Sequence, residues 1–135
     1  LARKQQEDAL GNMPELTSGP PAWLDAGARA EWQRVVPLLT ANVPVSELDS
    51  NLVASYCQAV STITTAQEHI TEDGYMVRAG KNSEKQNPYI SIKHNATAEM
   101  MKLADALGLS IYGRLKLNVK GAGVGIQDPF ARFNK

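Results

Sequence analysis

The sequence predicts an all-α protein, a small helical domain with one long central helix and a short basic loop or hairpin. Apolar residues recur every three or four positions in several separate segments, which is the period of one helix face. Capping residues stand before these segments, and glycines follow two of them. A polar and basic stretch, residues 74–87, interrupts the helical period once.

Composition places the chain among ordinary globular proteins. Its 135 residues are 43% hydrophobic and 21% charged, which suits one domain with tails and argues against a fully disordered chain. The single cysteine, Cys57, excludes an internal disulfide framework and a multi-cysteine zinc site, so we expect a reducing compartment. The apolar stretches are far shorter than the roughly 18 residues of a membrane span. The sequence shows no signal-peptide pattern.

Charge divides unevenly along the chain, although the formal net charge is zero. Residues 1–74 hold four basic side chains against ten carboxylates, whereas residues 75–135 hold ten against four. This asymmetry predicts an acidic surface and a basic surface on one protein. The basic half binds a polyanion, or meets the acidic half of a neighbouring subunit, or reflects ordinary charge segregation, and charge alone does not choose between these.

The first helix is predicted to follow a flexible leader, residues 1–22, which is rich in Gly and Pro and lacks an apolar stripe. The helix begins after Asp25, a residue that can accept the free amide hydrogens of a first turn. Pro37 lies inside the apolar pattern, so we expect it to kink the last turn or to end the helix near Val36. The predicted core-facing stripe is Leu24, Ala28, Trp32, Val35 and Leu39.

The second helix is the longest predicted element. Ser-Glu-Leu-Asp at positions 46–49 has the spacing of a capping box, and Gly74 supplies a closing residue. From Glu47 to Glu72 the helix would be about 39 Å long at about 1.5 Å per residue. A helix of this length can extend beyond one small core into a neighbouring subunit. Its predicted stripe is Leu48, Leu52, Tyr56, Val60, Ile63 and Ile70, with Ala66 or Gln67 in the gap.

Residues 74–87 predict a basic loop, or a short hairpin, before a third helix. Asn87 caps the third helix, Pro88 occupies its first helical position, and Gly108 ends it. The predicted buried stripe of this helix is Ile92, Ala96, Met100, Leu103 and Leu107.

A short fourth helix is predicted to start after Ser110. Its apolar side is Ile111, Leu115 and Val119. The glycine-rich run that follows it predicts a flexible linker. The predicted organisation is therefore a flexible leader (1–22), a helical core (23–120) and a flexible C-terminal tail (121–135).

No catalytic or metal-binding constellation is found in the sequence. His69 and His94 belong to different predicted helices and lack metal-ligand spacing, and Cys57 fits a buried, inert thiol. The glycines of 121–125 lack the flanking strand and helix of a phosphate-binding loop. We therefore expect a protein that is not an enzyme and uses no cofactor or metal.

The order of the elements along the chain is the most specific feature. The ordered features are Trp32 within the first helix, a long helix from Asp49 to Asp73-Gly74, a basic loop, Asn87-Pro88, and Leu107-Gly108-Leu109-Ser110 before Arg114. This order, over about residues 20–120, resembles the terminase small subunits of cos-type tailed phages, in the branch encoded beside an HNH nuclease. Ser110 stands where that family usually has Thr, and Ile111 where it has Pro.

The resemblance implies a helical, ring-forming, non-catalytic subunit that recognises viral DNA and regulates a large ATPase and nuclease subunit during genome packaging. The implied partners are double-stranded phage DNA, the terminase large subunit, further copies of the chain in a ring, and an HNH nuclease. The implied location is the host cell cytoplasm, with no membrane contact. A head-completion or adaptor protein and a helical DNA-binding regulator stay open as alternatives. The predicted helices are not the short pair of a helix-turn-helix, which counts against the regulator.

The candidate DNA contacts are basic residues of the C-terminal half, because attraction to DNA phosphates supplies most of the non-specific affinity for DNA. They are Arg78, Lys81, Lys85, Lys93, Arg114, Lys116 and Lys120. The sequence does not choose between a loop set (Arg78, Lys81, Lys85) and a terminal set (Arg114, Lys116, Lys120). No DNA-contact motif of the resembled family maps onto either set.

Overall fold

The computed structural model describes residue 5 and residues 14–117 of the chain. The described part is mainly helical, as predicted, with one two-stranded hairpin between its two longest helices. The elements are α1 (Ala26–Asn42), α2 (Ser50–Asp73), β1 (Met76–Arg78), β2 (Glu84–Gln86), α3 (Pro88–Leu107) and α4 (Ile111–Leu117). No helix among the described residues is both long and apolar enough to span a membrane.

Helix α1 begins as predicted, since the Asp25 carboxylate accepts the amide hydrogen of Ala28 at 2.9 Å. The expectation that Pro37 ends the helix near Val36 is wrong, because α1 continues to Asn42. Burial accounts for the continuation: Leu39, on the turn after the proline, is 2% exposed. Packing of that turn offsets the single backbone hydrogen bond that a proline removes. All five residues of the predicted stripe are buried.

The start of α2 carries the predicted capping box. The Ser46 amide donates to Asp49 at 2.9 Å, and the Leu48 amide donates to the Ser46 hydroxyl at 3.2 Å. One 3-10 turn, Glu47–Asp49, leads into the helix, which ends at Gly74 with φ of +85°. The predicted length of this element is therefore confirmed.

The stripe predicted for α2 is correct in its C-terminal part and wrong at its start. Tyr56, Ala66 and Ile70 are buried, whereas Leu48 is 75% and Leu52 44% exposed. The helix packs between α1 and α3. At its start, the residues that these helices cover are offset by one position from the predicted stripe. Fully buried residues on that side are Val53, Ala54 and Cys57.

Part of the predicted leader lies against the helical core. Leu16 is 3% exposed and belongs to the same core cluster as α1 and α2. The Glu47 carboxylate accepts the amides of Thr17 and Ser18 at 2.7 and 2.9 Å, and the Ser18 hydroxyl at 2.5 Å. The core therefore extends upstream of the expected boundary at residue 22 and includes Leu16. The tail predicted for 121–135 lies outside the described residues.

Residues 74–87 form the hairpin that the sequence offered as an alternative to a loop. The strands are antiparallel, with Val77 opposite Lys85. Asn87, 2% exposed, joins the hairpin to α3, because its side chain donates to the Gly74 carbonyl at 2.9 Å and accepts the Tyr89 amide at 3.0 Å. One side chain thus serves both the predicted cap of α3 and the end of α2.

Helix α3 ends at Gly108, whose φ of +76° favours glycine. Of its predicted stripe, Ala96 and Leu107 are buried, and Ile92 is 42% exposed. Met100 and Leu103 are half-buried against the core cluster.

The apolar side predicted for α4 is wrong in the described residues, since Ile111 and Leu115 are 72% and 40% exposed. Helix α4 instead meets α3 through Gly113, where a β-carbon would collide with the Asp105 backbone carbonyl. Val119 lies outside the described residues.

Candidate nucleic-acid interface

The basic residues of the loop set all lie on the hairpin. Arg78 lies on β1, Lys81 in the turn and Lys85 on β2, and all three are exposed. Within residues 14–117 none of the three forms an ion pair or a side-chain hydrogen bond. Exposed basic side chains that have no partner in this part of the chain are available to an external anion.

The register of the hairpin determines the face from which each basic side chain projects. Arg78 is opposite Glu84, and Lys85 is opposite Val77. Because neighbouring residues of a strand point to opposite faces, Arg78 and Lys85 project from opposite faces of the ribbon. Both residues line a groove of about 570 Å³ formed by the hairpin and the first residues of α3, including Tyr89. The ribbon therefore carries one basic side chain on each face, and on the Arg78 face Glu84 lies directly across from it.

Lys93 lies on α3 and is partly engaged. Its Nζ donates to Oε1 of Gln67 on α2 at 2.6 Å, which links the two helices. One turn earlier, the Tyr89 ring stacks on the His69 ring with centroids 4.1 Å apart and an angle of 8° between the planes. These contacts give Lys93 and Tyr89 a packing role at the α2–α3 junction.

The described members of the terminal set are engaged as well. Arg114 on α4 donates from Nη1 to the Leu109 and Gly108 carbonyls at 3.0 and 3.4 Å, so it caps the end of α3. The Lys116 ammonium lies 5.7 Å from the centre of the Tyr112 ring. Lys120 lies outside the described residues.

Among the described residues, the loop set and the terminal-set members Arg114 and Lys116 lie at opposite ends of α3. The hairpin directly precedes the first residue of α3, and α4 follows its last residues. The 20 residues of α3 span about 30 Å at about 1.5 Å per residue. The structure therefore separates the loop set from Arg114 and Lys116 by the length of this helix.

The sequence did not predict the ionic network between α1 and α2, in which Glu31 is buried and Arg34 is exposed. Glu31, 9% exposed, accepts bonds from Nε and Nη2 of Arg34 at 2.6 and 2.7 Å and from the Tyr56 hydroxyl at 2.9 Å. The Arg34 hydrogen bonds hold the pKa of Glu31 below its ordinary value. Burial, followed by the neighbouring carboxylate, raises the pKa of Tyr56 to about 12. The spacing of three between Glu31 and Arg34 was the available signal, and nothing local pointed to Tyr56.

Cys57 is fully buried, and burial raises the pKa of its thiol to about 12. A neutral, inaccessible thiol is a poor nucleophile. Among the described residues, no group of three or more His, Cys, Asp or Glu side chains is arranged to hold a metal ion.

Sequence comparison identifies the family. The model of the phage terminase small subunit family matches residues 28–123, which include nearly all of α1 and every later described element. The chain therefore belongs to the phage terminase small subunit family, and its role lies in phage DNA packaging. Neither a curated protein nor a solved structure gives a match.

Proposed function

We propose that this protein recognises double-stranded phage DNA and regulates the terminase large subunit, with no ATPase or nuclease activity of its own. The family match over residues 28–123 is the observation that carries the proposal. The proposed setting is the host cell cytoplasm, and an HNH nuclease is proposed as a further partner. No cofactor is required for this function.

The hairpin is the proposed DNA contact. Arg78, Lys81 and Lys85 are exposed and lack internal partners within residues 14–117, whereas Lys93 and Arg114 hold neighbouring elements together. A two-stranded ribbon is narrow enough to enter the major groove of DNA. Arg78 on one face and Lys85 on the other would then each lie near a phosphate backbone on either side of the groove.

The proposed active form is a ring of identical subunits. Leu48 and Leu52 follow the apolar period of α2, yet they are exposed in the protomer. A neighbouring subunit that covers them would remove this apolar surface from water. A ring would also present the same weak DNA contacts many times, which raises the overall affinity.

A binding assay with duplex DNA from the phage genome ends tests the DNA contact. We expect Arg78→Ala/Lys81→Ala/Lys85→Ala to bind weakly and Arg114→Ala/Lys116→Ala/Lys120→Ala to bind nearly as well as the parent. The two variants lose the same charge, so a difference between them reports position. The reverse order of affinities would overturn the hairpin assignment. If both variants bind DNA normally while the oligomer dissociates, the basic half is an assembly surface.

Light scattering tests assembly. The parent should exceed the 14.6 kDa of one chain at micromolar concentration, and Leu48→Ser/Leu52→Ser should shift it towards the monomer. Tyr75→Ser is a matched control, because Tyr75 is 73% exposed, close to Leu48 at 75%. A parent that is monomeric would contradict the ring.

The alternatives give different results in the same experiments. A head-completion protein would bind a portal and not free DNA. Purified protein that hydrolyses ATP without the large subunit, at a rate that a point mutation abolishes, would contradict the non-catalytic assignment.

A further inference from the structure

A groove lies between the C-terminal half of α1 and the junction of α3 with α4. It has a volume of about 380 Å³, and its apolar lining includes Leu38, Val43, Tyr56 and Leu109. Leu38 is 52% exposed, so a substantial apolar surface faces solvent there. The groove is separate from the hairpin, which lies at the other end of α3.

Two guanidinium groups also line this groove, those of Arg34 and Arg114. Arg34 uses Nε and Nη2 for Glu31, and Arg114 uses Nη1 for backbone carbonyls. Nη1 of Arg34, and Nε and Nη2 of Arg114, donate no hydrogen bond within residues 14–117. The groove thus combines apolar surface with donors suited to a carboxylate.

The described chain ends beside the groove. Cδ1 of Leu117, the last described residue, lies 3.0 Å from the point where a β-carbon on Gly108 would stand. Cγ1 of Val43 lies at the same distance from that point. Gly108 and Val43 both line the groove, so the chain leaves the described structure at its edge.

The segment beyond Leu117 has the complementary chemistry. Asp128 is the sole carboxylate side chain after Asp105, and Phe130 follows it two positions later. The eleven residues from Leu117 to Asp128 reach about 36 Å at about 3.3 Å per residue. That exceeds the length of α1, about 26 Å for its 17 residues, so the segment can reach any part of the groove.

We propose that residues 126–133 of each chain dock into the groove of the same chain, with Asp128 on Arg114 and Arg34 and Phe130 against Leu38. Charge-assisted bonds to guanidinium orient the segment, and burial of the aromatic ring stabilises it. Arg114 would then be occupied by a carboxylate, which agrees with placing the DNA contacts on the hairpin.

Photo-crosslinking in the full chain tests the docking. Phe130 is replaced by the photoreactive analogue p-benzoylphenylalanine, and crosslinked peptides are identified by mass spectrometry after irradiation. We expect crosslinks to the groove at Leu38, Asn42 or Leu109. In a mixed oligomer of ¹⁴N-labelled and ¹⁵N-labelled protein, crosslinks within one chain never combine the two labels, whereas crosslinks between chains include pairs that do.

Two further substitutions make the test specific. Asp128→Asn should lower the yield of groove crosslinks about threefold, the size expected for a solvent-exposed ion pair, and Leu38→Asp should lower it at least as much. Met101→Asp is the control, because Met101 is 60% exposed and does not line the groove. Crosslinks elsewhere, groove crosslinks whose two peptides carry different labels, or a yield that Asp128→Asn leaves unchanged would overturn the proposal. Asp128→Asn keeps the test decisive if Leu38→Asp fails to fold.

Discussion

The Tyr56 hydroxyl donates a 2.9 Å hydrogen bond to Oε2 of Glu31, and this bond joins the second turn of α2 to α1. Both residues are less than 10% exposed. A carboxylate at such a site is stable only when it is paired, and Arg34 supplies the charge. The network therefore ties the register of α1 against α2 to one specific set of polar partners.

Tyr56→Phe should destabilise the protein by about 1–2 kcal/mol, because the buried carboxylate loses one of its hydrogen-bond donors. Chemical denaturation measures the change in the free energy of unfolding. Tyr112→Phe is the matched control, since Tyr112 is 63% exposed and its hydroxyl forms no hydrogen bond among the described residues. Equal stabilities for the two variants would show that the Glu31 contact contributes nothing.

Trp32→Ala should cost about 3–5 kcal/mol, the usual result of truncating a buried tryptophan. Trp32 is 4% exposed, whereas Trp23 is 57% exposed and serves as the control through Trp23→Ala. Thermal unfolding followed by circular dichroism should show a large fall in Tm for the first variant and a small one for the second. A similar Tm for both would place Trp32 outside the core.

Acid should weaken the contact between the N-terminal segment and the 3-10 turn. The Ser18 hydroxyl and the Ser18 and Thr17 amides lower the pKa of Glu47 from 4.5 to about 2. Because this pKa is lower in the folded state, the stabilisation is present above pH 4.5 and is lost as the pH falls towards about 2. Glu47→Gln should make the free energy of unfolding fall less steeply as the pH is lowered from 4.5 towards about 2. Glu99→Gln, which removes an exposed carboxylate without hydrogen bonds among the described residues, should leave it unchanged.

Cys57 should not react with a thiol reagent in the native protein at pH 8. Its side chain is fully buried, and its raised pKa of about 12 keeps the thiol protonated. An Ellman assay should detect no reactive thiol in the native protein and one thiol per chain after denaturation. Asn82→Cys, which places a thiol in the exposed hairpin turn, should react at once. Rapid native labelling of the parent would mean that the core around Cys57 opens readily.

The salt dependence of DNA binding should report single phosphate contacts on the hairpin. Lys85→Ala should reduce the slope of log affinity against log salt concentration by about one, because one fewer counterion is displaced. Lys102 is an exposed residue of α3 that belongs to neither candidate set, so Lys102→Ala should leave the slope unchanged. Identical slopes for the two variants would count against a phosphate contact at Lys85.

Local chemistry let the sequence predict most element boundaries. The Asp25 cap, the Ser46–Asp49 capping box and the Asn87 cap each act within one helical turn, so their residues are adjacent in the sequence. Gly74 and Gly108 mark helix ends for the same reason, since a positive φ is a property of one residue. The stripe of α1 was predicted correctly as well, because its members follow one helical period and all lie on the side that the core covers.

Only the tertiary structure decided which apolar residues are covered by neighbouring helices and which basic residues lie near each other. A period of 3.6 residues identifies a face but not what packs on it, so Leu48 and Ile111 were expected to be buried and are exposed. The contacts of Glu47 with Ser18 and of Tyr56 with Glu31 span more than 20 positions, beyond the range of any local pattern. The length of α3 separates the loop set of basic residues from Arg114 and Lys116, a distance that appears only once the helix has formed.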